Sequence, residues 1–167
     1  KDSVVIKALA DMAGVKYDAH YKVTTIDPPE LVYFIRDNFP DVIWDRPEKP
    51  FLRRMIEKGI PPQRHRRWCC AEYKEGGAEN RVVVTGVRWA ESPARRKRNM
   101  VESCMKGGNK IYLNVIIDWT TSDVWEFIKQ EKILYCKLYD EGFKRIGCMF
   151  CPMAGKTRIM EAERYPS

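Results

Sequence analysis

The sequence has no apolar run approaching the roughly 20 residues that a membrane-spanning helix needs. Its opening, Lys1-Asp2-Ser3-Val4-Val5, lacks the extended hydrophobic region of a secretory leader. Six cysteines in 167 residues are too sparse for a disulfide scaffold. No internal repeat, low-complexity segment or domain linker interrupts the chain. These absences argue against a membrane protein, a secreted disulfide-stapled domain and a repeat array. They predict one domain over residues 1–167 in a reducing cytoplasm, where cysteines bind metal or react more often than they crosslink.

What is present reads as soluble and globular, with 44% hydrophobic and 32% charged residues. A chain of this length buries roughly two-thirds of its unfolded surface, enough for a core without staples. The formal net charge of +7 attracts anions, either nucleotide phosphates or a nucleic-acid backbone, and does not choose between them. The densest basic run, Arg95-Arg96-Lys97-Arg98, reads as a solvated face or as a binding surface.

The chemistry concentrates in a split set of cysteines. Cys69 and Cys70 are adjacent, and Cys148 and Cys151 form a C-x-x-C pair far downstream. A turn between the members of C-x-x-C aims both sulfurs the same way, whereas the side chains of an adjacent pair diverge. Diverging thiolates serve the spread corners of an iron–sulfur cube more readily than a single tetrahedral zinc. The spacing therefore favours a four-thiolate centre, iron–sulfur before zinc. Ordinary buried cysteines or a disulfide are the alternative.

Strand and helix signals alternate along the chain. Apolar positions Val4, Val5, Ala8, Leu9 and Met12 predict a helix ending at Gly14, whose first turn could hold phosphate on free backbone N–H groups. Residues 17–25 read as a strand, and Asp27-Pro28-Pro29-Glu30 opens a helix with proline in its first turn. Residues 42–44 predict a short strand and 51–58 a helix stopped by Gly59. Residues 81–87 are expected to be a buried strand of the parallel type, and 111–117 another. Thr120 and Asp123 have capping-box spacing before a helix through Val124, Trp125, Phe127 and Ile128. Residues 158–165 look helical. The pattern predicts an α/β fold with a mostly parallel sheet sandwiched by helices. In such sheets ligands bind beyond the carboxyl ends of strands, where Arg88 and Arg95 could grip a phosphate or sulfate in bidentate fashion.

Together these residues resemble the phosphoadenosine phosphosulfate (PAPS) reductase family, of the PP-loop or adenine nucleotide alpha hydrolase-like fold. Lys1-Asp2-Ser3 looks like the last half of its S-G-G-x-D-S loop. Thr85, Gly86, Arg88, Ser92 and Arg95 match T-G-x-R-x-x-x-S-x-x-R, and Trp119, Thr120, Asp123, Val124 and Trp125 match W-T-x-x-D-V-W. The cluster-bearing branch of the family, similar to adenylyl-sulfate reductases, also has a tandem Cys-Cys and a later C-x-x-C. The resemblance implies one [4Fe-4S] cluster on Cys69, Cys70, Cys148 and Cys151. It further implies an adenine nucleotide (adenylyl sulfate, PAPS, or ATP with Mg) contacted by Lys1, Asp2, Ser3, Arg88, Ser92 and Arg95. Cys104 and Cys136 fall outside the pattern and are expected to be structural or free.

The sequence departs from the family pattern twice. The S-G-G half of the loop is missing, and omission of residues before Lys1 is the expectation. The nucleophilic cysteine that reductases carry in a C-terminal E-C-G-x-H tail is missing too, so no catalytic residue is assigned. Three functions compete. One is reduction of adenylyl sulfate or PAPS to sulfite with a thioredoxin-like reductant, with Arg66, Arg67 and Lys74 offsetting the charge of the cluster. Another is ATP-pyrophosphatase-type sulfur insertion into DNA or tRNA, which the basic charge would suit. The third is a non-catalytic binding module stapled by the cluster.

Overall fold

The structure is a computed structural model that describes residues 1–104 and 108–166. The chain divides into two compact units. The first comprises Lys1–Tyr17 with Gly77–Tyr135, and the second Asp18–Gly76 with Cys136–Ser167.

In the first unit α1 (Asp2–Met12) carries its apolar stripe into a core of Val5, Ile116, Val124 and Ile128. The last two come from α5 (Thr121–Gln130), whose start is set by the expected capping box. Thr120 Oγ1 accepts from the Asp123 N–H at 3.2 Å, and Asp123 Oδ2 accepts from the Thr120 N–H at 2.7 Å. Two groups left unpaired by the first helical turn are thereby satisfied. The sheet has the order β3-β5-β4. β3 (Val82–Val84) runs parallel to β5 (Ile111–Leu113), and β4 (Val101–Ser103) lies antiparallel on the other side. Beyond β5, the side chain of buried Asn114 donates to the Asn99 carbonyl at 2.8 Å and accepts from the Thr85 hydroxyl.

The strands are shorter than the sequence predicts, and β4 was not anticipated. Residues 81–87 yield only three paired positions, and these are not a buried run: Val82 is 58% and Val84 38% exposed. The physical reason is position. β3 is an edge of its sheet, and Val82, Val84, Ile111 and Val101 all lie on the face open to solvent.

In the second unit β1 (His20–Lys22) pairs in parallel with β2 (Ile43–Asp45), with Tyr21 opposite Trp44 and their rings edge to face at 5.1 Å. α2 (Pro29–Asn38) has proline at its start as expected. α3 (Phe51–Lys58) ends on Gly59 at φ +64°, a left-handed cap that favours glycine. α4 (Trp68–Tyr73) and α6 (Thr157–Arg164) complete the unit. Its core is Cys136, Leu138 and Phe143, with Leu31, Phe34 and Met160 packed around them. Both units carry parallel pairing with helices, the expected fold class. No helix among the described residues is long and apolar enough to cross a membrane.

Candidate functional site

The four predicted ligand cysteines all belong to the second unit. Cys69 and Cys70 sit in the first turn of α4, a helix of six residues. Neighbours on a helix point about 100° apart, yet the Cys69 and Cys70 thiols lie close enough to share a side-chain hydrogen bond. α4 is fixed against α3 by ring packing and charge. Trp68 stacks on Phe51 at 5.5 Å, and the buried Tyr73 hydroxyl donates to the Lys49 carbonyl at 2.9 Å. Glu72 pairs with Arg54 at 2.8 Å and Lys58 at 2.6 Å.

Cys148 and Cys151 flank a turn held from two other segments. The Met149 N–H donates to the Ile26 carbonyl at 2.9 Å. The Phe150 N–H donates to Glu161 Oε2 on α6 at 2.7 Å. Ile26 itself lies in a tight turn after β1. There Asp27 Oδ2 accepts from the Tyr21 hydroxyl at 2.7 Å and the Thr24 N–H at 3.1 Å, and Thr25 Oγ1 accepts from the Phe51 N–H at 2.8 Å. One turn thus touches β1, the start of α3 and the C-x-x-C loop.

The thiols share a neighbourhood. Burial, then the adjacent Cys70, then Cys148 and Cys151 push the Cys69 thiol up to about 11. Lys74 completes the surroundings. Burial of its ammonium works against the charge, but Cys148, Asp27 and Cys70 outweigh it and hold the pKa above the ordinary lysine value. Arg66 and Arg67 are exposed. None of the six cysteines forms a disulfide; Cys136 lies in the core and Cys104 is half-buried, its sulfur 3.8 Å from the Tyr112 hydroxyl.

Among the described residues no group of three or more His, Cys, Asp or Glu side chains converges closely enough to hold a single metal ion. A tetrahedral zinc needs donors gathered at about 2.3 Å from one point. The Cys69 thiol is influenced by the other three, and Lys74 stands near Cys148 and Cys70.

The predicted nucleotide-binding residues all belong to the first unit. Lys1 Nζ contacts Asp2 at 3.1 Å, and Asp2 pairs with Arg88 Nε at 2.8 Å. Arg88 is 1% exposed and also donates to the Trp119 carbonyl at 3.2 Å. It therefore ties the start of α1 to the start of α5 instead of projecting from a loop as the sequence suggested. Burial of Asp2 would raise its pKa, but Lys1 and Arg88 outweigh this and hold the carboxyl below its usual range. Gly86 lets α1 approach the strand exit: a Cβ there would lie 2.9 Å from Asp2 Cβ.

Ser92 and Arg95 join this network one step removed. Glu91 accepts from the Arg88 N–H at 2.9 Å and pairs with the Arg95 guanidinium, and Ser92 Oγ accepts from the Arg95 N–H at 3.3 Å. Ser3 is exposed, and the first turn of α1 carries no side-chain cap. Nearby, Trp89, Ala90 and Arg96 line an open cleft of about 440 Å³.

Sequence reasoning missed Asp27, Tyr21 and Glu161. Asp27 was visible only as a helix-start acid before two prolines, and Glu161 as one acid of a charged helix.

Comparison with known proteins follows the same lines. The phosphoadenosine phosphosulfate reductase domain matches residues 1–154. An uncharacterized protein of Methanocaldococcus jannaschii is 34% identical over 126 residues, which cover 71% of this chain and 30% of that protein. Adenosine 5'-phosphosulfate reductase of Lysinibacillus sphaericus is 31% identical over 159 residues, covering 87% of this chain and 64% of that one. The chain thus spans less than two-thirds of the length of these relatives. The crystal structure of phosphoadenylyl-sulfate reductase from Candida auris, a phosphate complex, superposes with a TM-score of 0.64 at 17% identity. That likeness covers 87% of this chain and 75% of the other and establishes the PP-loop type of fold.

Proposed function

The chain belongs to the phosphoadenosine phosphosulfate reductase family, and we propose that it serves reduction of adenylyl sulfate or PAPS to sulfite. The observation that carries this reading is the gathering of Cys69, Cys70, Cys148 and Cys151 with Lys74 in one unit. Relatives named adenosine 5'-phosphosulfate reductase support it. In this reading the four cysteines hold a [4Fe-4S] cluster, which when bound supplies a negatively charged, redox-active centre. The chemistry itself is attack of a cysteine thiolate on the sulfate sulfur. The bond from sulfur to the nucleotide phosphate oxygen breaks, AMP (or its 3′-phosphorylated form) leaves, and a thiosulfonate remains. A thioredoxin-like dithiol then attacks the enzyme's sulfur, releasing sulfite and ending as a disulfide once the enzyme thiol is restored.

The residues of this chain would bind and orient. The uncapped start of α1, with Lys1, Asp2 and Ser3, would face the nucleotide phosphates through its backbone N–H groups. Arg88 would fix that start in place, and Ser92 and Arg95 would flank it through Glu91. Lys74 would offset the thiolate charge at the cysteines and favour approach of the sulfate. No residue of this chain is assigned as the attacking nucleophile.

A second reading, ATP-dependent sulfur insertion into DNA or tRNA with release of pyrophosphate, is favoured by one feature. Trp89, 40% exposed, stands beside Arg96 on a cleft next to the basic run, the combination that stacks a base and meets its backbone. Incubation with adenylyl sulfate and reduced thioredoxin distinguishes the two. Sulfite release supports the first. Conversion of ATP to AMP and pyrophosphate, stimulated by DNA or tRNA and without sulfite release, replaces it with the second.

A further inference from the structure

The turn that carries Cys148 and Cys151 is shaped by groups outside it. Phe150 has φ +54°, a left-handed conformation that a bulky side chain rarely adopts. Its ring is 51% exposed, so ring packing is a weak explanation for that backbone shape. The Phe150 N–H is bonded to Glu161 at 2.7 Å, a short charge-assisted contact. The neighbouring Met149 N–H goes to the Ile26 carbonyl. Both amides between the cysteines are therefore engaged by other segments of the same unit.

Glu161 itself is 4% exposed, on the face of α6 that packs inward. A carboxylate there is costly unless it is hydrogen-bonded, and an apolar residue would serve packing better. What it gains is the Phe150 amide.

We propose that Glu161 is the positioning residue of the second cysteine pair: its carboxylate, carried on α6, fixes the 148–151 turn in the shape that presents both sulfurs to one iron–sulfur centre. This rests on the cluster reading above. Groups that orient metal ligands without touching the metal commonly change metal affinity by about 10- to 100-fold when removed.

The test compares wild type, Glu161→Gln and Glu161→Ala, each purified anaerobically as the full chain. Iron and sulfide per chain are measured, with the rate of iron loss to a chelator. The glutamine amide oxygen still accepts from the Phe150 N–H, so that variant is expected to keep its iron. Alanine favours helix and leaves α6 intact, but it removes the acceptor, and iron loss should be roughly 10-fold faster or more. Equal rates for the alanine variant and wild type overturn the proposal. Loss from the glutamine variant as well contradicts a role through the hydrogen bond. A wild-type chain without iron overturns the cluster reading itself, and the proposal with it. Hydrogen exchange on wild type decides the matter even if the alanine variant does not fold. A protected Phe150 amide is expected, and exchange at the rate of an unstructured chain overturns the proposal.

Discussion

In the unit formed by Lys1–Tyr17 and Gly77–Tyr135, the charged residues that the motifs single out are held by partners within the same unit. In the unit formed by Asp18–Gly76 and Cys136–Ser167, the four cysteines are surrounded by fixed neighbours and carry no disulfide. Arg88 pairs with Asp2, and Arg95 with Glu91. Around the cysteines the bonding lies instead in the supports: Asp27 with Tyr21 and Thr24, Glu161 with Phe150, Glu72 with Arg54 and Lys58. A residue inside a signature motif can be a builder of the site, while a residue outside every motif can hold the turn that carries a cysteine pair. Arg88 is the first kind and Glu161 the second.

The comparison breaks most sharply at the cysteines. Cys148→Ser and Cys151→Ser are each expected to lose all or nearly all iron on anaerobic purification, since a hydroxyl is a poor replacement for a thiolate. Full iron content in both variants would remove that pair from the centre. Arg88→Ala probes the other unit. It leaves the Asp2 carboxylate without its strongest partner from elsewhere in the chain, and stability should fall by roughly 2 kcal/mol. That is below the full cost of opening a buried pair because Asp2 retains some contact with solvent. In a chain of this size the melting temperature should drop by about 4–8 °C. Nucleotide affinity should fall too, as the start of α1 loosens. An unchanged melting temperature with lost affinity would make Arg88 a direct ligand after all.

Some of this was legible in the sequence. Residues 51–58 with Gly59, and Thr120 with Asp123, were readable because each is a local signal: a left-handed cap in one case and a reciprocal hydrogen bond in the other. The strands were overextended, since a β-branched run does not say where pairing stops. Residues 81–87 supply pairing only over Val82–Val84. α4 was missed because six residues are too short for a helical period to declare itself. The four cysteines were visible as a set, but not what holds them. The Asp27 turn and Glu161 act across long stretches of sequence, and the order of residues gives no spacing rule for such contacts.

Thr120→Ala gives a smaller effect within the first unit. Loss of the cap should cost about 1 kcal/mol, read in urea unfolding, and leave iron content unchanged. Reduced iron in that variant would show that the cap also supports the cysteines. The smallest effect concerns acid. Lys1 and Arg88 hold the Asp2 pKa down in the folded chain. Its stabilisation is therefore complete above the unfolded aspartate value near 4 and is lost as pH falls through the lower folded value. Between pH 6 and pH 3 the urea midpoint of wild type should fall further than that of Arg88→Ala. Equal falls would show that the pair contributes nothing to acid sensitivity.

The central claim is that Cys69, Cys70, Cys148 and Cys151 hold one iron–sulfur cluster. An anaerobic iron and sulfide assay on the wild-type chain, with a visible spectrum, tests it most directly. The expected result is about four irons and four sulfides per chain with broad absorbance near ~400 nm. One zinc per chain and no sulfide would contradict it and leave a zinc-stapled nucleotide-binding protein in its place.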